Sequence, residues 1–376
     1  MTKTRRGNGE GSIYQRSDGT WCGTIGVGYD SKGKRRRRTI FGPTKAEVQK
    51  KLAKEATNAS HMQGVDVEKI TLGKYLDRWL RDAAKPTLKA TTYANYERAV
   101  EQAIKPYLGG VKLDKITALQ IHGMYSTLQK EGASADKIRT THAVLHRALK
   151  QAVRWRLLPF NVCADVERPK VDRTEISPLA VDEVALMLNA AEGDRFEAMY
   201  ILAVTAGMRL GELFGLQWSD VDLKDKAVMV QRSLQELNGK LTLTEPKSAR
   251  GRRRIDIPQM AVDALVRHRA RLLAEGLAGA ELVFCNTQGG PMRRSHFHDQ
   301  QFKKLLRRAG VRECRFHDLR HTSATLLLSQ GVHPKVVQER LGHSQISVTL
   351  DTYSHVLPSM QVEAAGKFDQ LLTKAR

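Results

Sequence analysis

The sequence predicts an α+β multidomain protein: a small three-stranded sheet plus a helix, then an all-α helical bundle, then a mixed, mainly α domain that includes a small antiparallel sheet. Three patterns carry that prediction. Near the N-terminus, short alternating runs are separated by Gly-bearing turns. Over residues 70–168 apolar side chains recur at helical spacing, and around Asn238-Gly239 alternation returns between helical stretches. A chain of 376 residues has room for two or three domains. The patterns divide it at 1–62, 70–168 and 172–376.

The first segment reads as GSIYQR, TWCGTIGVGYD and RRRRTIF, three strands joined by SDG and SKGK. TKAEVQKKLAKEA follows as a helix, with Thr44 at the N-cap and Glu47 at the capping-box position. Arg35, Arg36, Arg37 and Arg38 lie in a row on the third strand. Strand alternation sends two of them to each face. A basic edge is ordinarily only solvated, but Tyr14, Trp21 and Phe41 are interleaved here, and the sheet reads as a nucleic-acid-binding surface.

In the second segment, Leu72, Leu76, Trp79 and Leu80 share one helical stripe. Thr91 and Thr117 open the next two helices. SADKIRTTHAVLHRALKQAVRWRLL forms a longer one, with Ile138, Leu145, Leu149 and Ala152 on its core side and Pro159 and Asn161 stopping it. Its opposite face is basic: Arg139, Arg147, Lys150 and Arg154, with Lys137 at the margin. That bias in sign points to phosphate. A polar linker with two prolines, ERPKVDRTEISP, leads to the third segment. There VDEVALMLNAA and DRFEAMYILAVTA are helical, and the stretch from AVMVQR to RRRIDIP reads as three antiparallel strands with Asn238-Gly239 at a hairpin turn.

Charge narrows the function. Lys and Arg number 62 against 40 Asp and Glu, a formal net charge of +22. An excess of that size suggests a polyanionic partner, nucleic acid first and a membrane surface second. No run of eighteen apolar residues is present, so no spanning helix is expected. MTKTRRGNGEGS lacks the apolar core of a secretory signal. Cys22, Cys163, Cys285 and Cys314 are scattered without a CxxC, as reduced thiols of an intracellular protein would be. Cys314, His317 and His321 have ligand-like spacing. Without an HExxH pattern or a second Cys/His pair nearby, zinc is not expected there.

Chemistry-bearing residues cluster in four short words. TAGMRLGEL places Arg209 just ahead of a helix that Gly207 separates from the previous one, with Glu212 three residues on to orient it. TEPKSARGRRR puts Lys247 at the end of a strand. FHDLRHT sets His317 and Arg320 on one helical face, suited to an anion. GHSQISVTLDTYSHV holds His343 and a tyrosine, Tyr353, among small polar residues with no apolar stripe to receive it. Taken singly, each has an ordinary structural reading: a surface ion pair, a solvated lysine, a half-buried tyrosine.

Taken together and in order, Arg209, Lys247, His317, Arg320, His343 and Tyr353 resemble the active-site set of the tyrosine recombinases, the phage-integrase family. The local words TAGMRLGEL, HDLRHT, LGHS and DTYSH resemble it as well, and Ala180 departs from it where a capping Ser or Thr is common. The resemblance extends over most of the chain. It implies an arm-type DNA-binding domain at 1–62, a core-binding domain at 70–168 and a catalytic domain at 172–376. It further implies strand transfer by a site-specific recombinase through a 3′-phosphotyrosine at Tyr353, an integrase that inserts and excises a phage or mobile element, the alternatives being a resolvase or invertase of the same family or a non-catalytic DNA-binding regulator. Arg209 and Arg320 would clamp the phosphate, His317 would accept or orient the proton, His343 would donate a hydrogen bond, and Lys247 would protonate the leaving oxygen. No ATP is implied, in agreement with the lack of a GxxxxGK[ST] loop, and no cofactor or metal. The implied partners are double-stranded DNA at core and arm attachment sites, a homo-tetramer exchanging C-terminal tails, a DNA-bending protein and an excisionase-type directionality factor. The implied setting is the cytoplasm of a bacterial host, on the nucleoid.

Overall fold

The computed structural model describes residues 12–29, 35–61, 70–170, 177–237, 239–245, 251–347, 350, 365–366, 368–370 and 372–373. The chain divides into two compact units, 1–173 and 174–376.

In the first unit, β1 (Ser12–Gln15), β2 (Trp21–Tyr29) and β3 (Arg35–Gly42) form an antiparallel sheet in that order, and α1 (Lys45–His61) follows. Thr44 caps α1 by accepting the Glu47 N–H at 3.3 Å, while the Glu47 carboxylate lies 2.7 Å from Lys51 Nζ. Ile25, Val48 and Leu52 are buried together, with Ile13, Trp21 and Ile40 beside them, so α1 covers one sheet face. Cross-strand partners share a face. Arg38 pairs with Ile25 and belongs to the helix side, whereas Arg37 pairs with Gly26 on the uncovered side. That uncovered side carries the cross-strand row Tyr14, Cys22, Phe41, and Arg16 lies over the Phe41 ring at 5.5 Å. The side chains of Arg35 and Arg36 lie outside the described residues.

A separate core belongs to the bundle of α2 (Leu72–Trp79), α3 (Ala90–Ala99), α4 (Lys105–Leu108), α5 (Ala118–Lys130) and α6 (Ala135–Arg154). Leu72, Leu76, Trp79 and Leu80 are buried as their spacing predicts, as are Ile138, Leu145, Leu149 and Ala152. Thr71, Thr117 and Ser134 each cap the helix that follows. Two boundaries differ from expectation. The third helix starts at Ala90 with Lys89 at its N-cap, one residue before Thr91. The long helix ends at Arg154, and Arg156 takes φ +58° before Pro159 is reached. Lys137, Arg139, Arg147, Lys150 and Arg154 are all exposed, with Arg147 stacked on Tyr96.

The second unit opens with α7 (Val181–Ala190), α8 (Glu197–Thr205) and α9 (Leu210–Phe214). The strands β4 (Val221–Asp222), β5 (Ala227–Val230), β6 (Ser233–Leu237), β7 (Lys240–Thr244) and β8 (Arg253–Asp256) follow. Helices α10 (Gln259–Ala274), α11 (Arg294–Phe297), α12 (Lys303–Arg308), α13 (Asp318–Ser329) and α14 (Pro334–Leu341) complete it. Its core gathers Met199, Leu202, Leu213, Val228, Ile255 and Leu319 around a run of edge-to-face phenylalanines, Phe297 against Phe196, Phe214 and Phe316. Ala180 cannot cap α7 with its side chain. The Glu183 carboxylate still accepts the Ala180 N–H at 2.8 Å, so half of a capping box survives.

The strands depart from the single three-stranded stretch expected. β5 pairs with β8 and with the two-residue β4, while β6 and β7 form a hairpin of their own. Arg232, between β5 and β6, supplies the physical reason. Its guanidinium is bound at 2.6 Å to the buried Asp220 carboxylate, which draws the chain out of the first sheet. The Leu237↔Lys240 register and Gly239 at φ +76° fit the two-residue turn read from the sequence, although Asn238 itself lies outside the described residues.

Candidate active site

Three sequence-distant segments of the second unit build the site, each through the end of a helix. Gly207, at φ +61°, ends α8 and turns the chain. A Cβ there would stand 2.5 Å from Leu341 and in a conformation L-residues avoid, so only glycine serves. Arg209 follows as the N-cap of α9 in extended conformation. Its own N–H and its Nη1 both donate to Glu212, at 3.0 and 2.7 Å, so this carboxylate fixes the arginine from two directions as the spacing predicts.

The second segment is the start of α13, where His317 is the N-cap. Arg320, one turn on, is only 2% exposed. Its Nη1 donates to the Gly207 carbonyl at 2.7 Å and its Nη2 to the Leu341 carbonyl at 2.5 Å. Main-chain oxygens thus aim this cation. His321 meets His317 edge to face, ring centroids 5.1 Å apart.

The third segment is the end of α14. Gly342 adopts the left-handed conformation at φ +67°, and the His343 N–H returns to the Gln338 carbonyl at 3.1 Å. This is a Schellman close. The Gln338 side chain then donates to the His343 carbonyl at 3.0 Å, clamping the residue just past the helix.

Electrostatics shows that these groups share one neighbourhood. Burial, then the charges of Arg320, Arg209, His321 and Arg253, hold the His343 imidazole down at about 3. Desolvation, then His321, Arg320 and Arg209, lower His317 to about 4, although that residue keeps an exposed edge. Both imidazoles are therefore neutral at pH 7, able to accept a proton at one nitrogen and donate from the other. Burial favours the neutral form of Glu212, but Arg253 and Arg209 outweigh it and bring the carboxyl down to about 2. Among the described residues, a phosphate would meet guanidiniums and neutral imidazoles, with the carboxylates of Glu212 and Asp318 already engaged by arginines.

The structure brings together Arg209, His317, Arg320 and His343 out of the six residues singled out in the sequence. Lys247 and Tyr353 lie outside the described residues. Lys247 falls between β7 and β8, and Tyr353 falls ten residues beyond His343. A further member went unread in the sequence. Arg253 on β8 joins Glu212 at 2.9 Å with its side chain 7% exposed. The signal was present: alternation in RRRID puts Arg253 on the same face as Ile255, inward, in a run of arginines that looks uniformly solvated. Among the described residues no three His, Cys, Asp or Glu side chains are grouped to hold a metal ion. The Cys314 thiol packs at the core's edge, where burial pushes it up to about 11.

Known proteins resemble this chain over most of its length. A model of the phage integrase family matches residues 178–360, and one of the phage integrase N-terminal SAM-like domain matches residues 71–129. The "Tyrosine recombinase XerC-like" protein of Caldanaerobacter subterraneus subsp. tengcongensis is 31% identical over 374 residues, which span 93% of this chain and 95% of that protein. The ICEBs1 integrase of Bacillus subtilis is 27% identical over 290 residues, 76% of this chain and 79% of the relative. Among solved structures, the Tn1549 transposon integrase in complex with transposon right-end DNA has a TM-score of 0.66 at 22% identity, covering 76% of this chain and 95% of the other. The lambda integrase tetramer bound to a Holliday junction has a TM-score of 0.58 at 22% identity, covering 89% and 96%.

Proposed function

This chain belongs to the phage integrase family of tyrosine recombinases and is a site-specific DNA recombinase, and we propose that Tyr353 is the residue with which it cuts and rejoins DNA. The Tyr353 hydroxyl attacks a backbone phosphorus. The new bond is a 3′-phosphotyrosine and the bond broken is that to the 5′-oxygen, which leaves as a hydroxyl. A second 5′-hydroxyl reverses the step on another strand, so the phosphodiester energy is kept and no nucleotide is consumed. Arg209 and Arg320 bind the non-bridging oxygens, where negative charge grows in the transition state. Neutral His317 takes or orients the phenolic proton, since a phenol near pKa ~10 attacks poorly unaided. Neutral His343 donates a hydrogen bond to the phosphate, and Lys247 protonates the leaving oxygen. The observation that carries this reading is the meeting of Arg209, His317, Arg320 and His343 from three distant segments within one electrostatic neighbourhood.

The three-domain division at 1–62, 70–168 and 172–376 belongs to the same proposal. The N-terminal sheet binds arm-type DNA through its uncovered face, which Arg37 shares with the exposed rings of Tyr14 and Phe41. Strand alternation in the sequence groups Arg35 with Arg37, and Arg36 with Arg38, which serve from the edge. Lys137 and Arg139, exposed on α6, track phosphates of the core site. Two DNA-binding modules on one chain let it bridge a core and an arm site through effective concentration. This favours integration of a phage or mobile element over simple resolution. The working assembly is a homo-tetramer on two DNA sites, with a DNA-bending protein and an excisionase-type factor setting direction, in the bacterial cytoplasm on the nucleoid. Exposed Phe368 and Leu372 near the C-terminus support exchange of tails between protomers.

A nicked suicide substrate tests the chemistry. Wild-type protein forms an SDS-stable covalent adduct and Tyr353→Phe forms none. An adduct that persists in Tyr353→Phe assigns the nucleophile elsewhere.

A further inference from the structure

We propose that Arg253 is a positioning residue of the recombination site, fixing Arg209 through Glu212 and His343 through the end of α14. The proposal rests on the reading of Arg209 and His343 as phosphate-binding groups.

Arg253 stands on β8 opposite Val230, on the side where Val228 and Ile255 are buried. Its side chain is 7% exposed, so it is placed to hold protein groups rather than DNA. Nη2 donates to Glu212 Oε2 at 2.9 Å and Nη1 to Oε1 at 3.3 Å. Nη1 also donates to the Gly251 carbonyl at 3.1 Å, and Nε to the Arg340 carbonyl at 2.6 Å. A guanidinium is planar, so these directions are rigidly related to one another.

Each partner leads to the reacting groups. Glu212 is the carboxylate that holds Arg209 by its N–H and its Nη1. Were its other side released, the carboxylate could turn and carry Arg209 with it. Arg340 is in the last turn of α14, whose terminal carbonyls have no partner within the helix. Arg253 takes the Arg340 carbonyl while Arg320 takes that of Leu341. The Schellman close that presents His343 begins at the next residue. Arg340 in turn reaches the Thr205 carbonyl at 3.0 Å, tying the end of α8 into the same set. One side chain of β8 thus sets the distance between the Arg209 and His343 branches of the site. The strand that carries it also follows the segment with Lys247.

The test uses the full chain, the nicked suicide substrate and single-turnover cleavage at saturating DNA, with DNA affinity measured separately by gel shift. Arg253→Met should slow cleavage about 100-fold, the scale of an ångström-level misplacement. Arg253→Lys keeps the charge but not the fork and should slow it about 10-fold. Core-site affinity should stay within about threefold for both, since a guanidinium this buried and this fully bonded to protein is placed away from phosphate. In a Glu212→Gln background, Arg253→Met should slow cleavage less than it does alone, because the path through Glu212 is already broken and only that through the Arg340 carbonyl is left to lose. Equal slowing in both backgrounds, or a loss confined to affinity, overturns the proposal. Should Arg253→Met fail to fold, Arg253→Lys decides: wild-type melting together with wild-type cleavage overturns it. Wild-type protein that forms no adduct in the same assay removes the catalytic reading instead.

Discussion

Glu212→Gln isolates the contribution of one buried charge to this fold. The carboxylate is 4% exposed and binds Arg253, itself 7% exposed, and Arg209. Removing one partner of a buried pair typically destabilises by about 3–5 kcal/mol, because the remaining charge loses its counterpart. The carboxyl gives a separate figure. Its folded value of about 2 lies below the ordinary 4.5, and at about 1.4 kcal/mol per pH unit that difference corresponds to roughly 3 kcal/mol at neutral pH. The sign follows from the direction. A carboxyl depressed on folding stabilises above its unfolded value, and that contribution is lost as pH falls through the folded one. The wild-type advantage over Glu212→Gln is therefore about 3 kcal/mol at pH 7 and shrinks to roughly 2 kcal/mol by pH 3.5. Urea-dependent hydrogen exchange of peptides from α9 and β8 reads the relevant unit without interference from residues 1–173. A loss below about 1 kcal/mol, or one that is equal at both pH values, would refute this reasoning.

Two further outcomes follow from the same geometry. His317 and His343, held at about 4 and about 3, should remain neutral at pH 5.5 in NMR titrations of the DNA-free chain, where solvent-exposed histidines are largely protonated; titration of either near 6.5 would place it away from Arg209 and Arg320. Because both are depressed on folding, they stabilise the neutral protein and that contribution is lost as pH drops below about 6.5 toward the folded values. On the N-terminal sheet, Arg37→Ala should lower the slope of log affinity for arm-type DNA against log salt by about 1, with a smaller change for Arg38→Ala on the helix side. The reverse order would put DNA on the α1 side of the sheet.

Local chemistry made much of this fold readable in the sequence. Thr44 and Thr117 mark helix starts because a side-chain oxygen is the simplest partner for an orphan N–H. LGHS announces how His343 is presented, since Gly342 supplies the left-handed turn. Gly207 and the Arg209–Glu212 spacing were legible for similar reasons. Non-local relations were not. Nothing near Arg232 signals that it will find Asp220 and divide the strands into two sheets. β4, with two residues, is too short for alternation to register. The depth of Arg320 depends on the carbonyls of Gly207 and Leu341, which only the folded chain brings to it. Arg253 is the instructive omission. Its neighbours Arg252 and Arg254 form exposed ion pairs with Glu245 and Asp256, and a row of identical residues conceals the one that faces inward.

Three guanidiniums, those of Arg209, Arg253 and Arg320, act on His343, and the carboxylate of Glu212 is bonded to two of them. On the proposed reading, an anion held among these groups would favour the folded chain, so substrate would serve there as counterion as well as reactant. A multivalent anion such as sulfate would act in the same way without being turned over. It would firm up the resting protein and, on the proposed reading, compete with the strand to be cut.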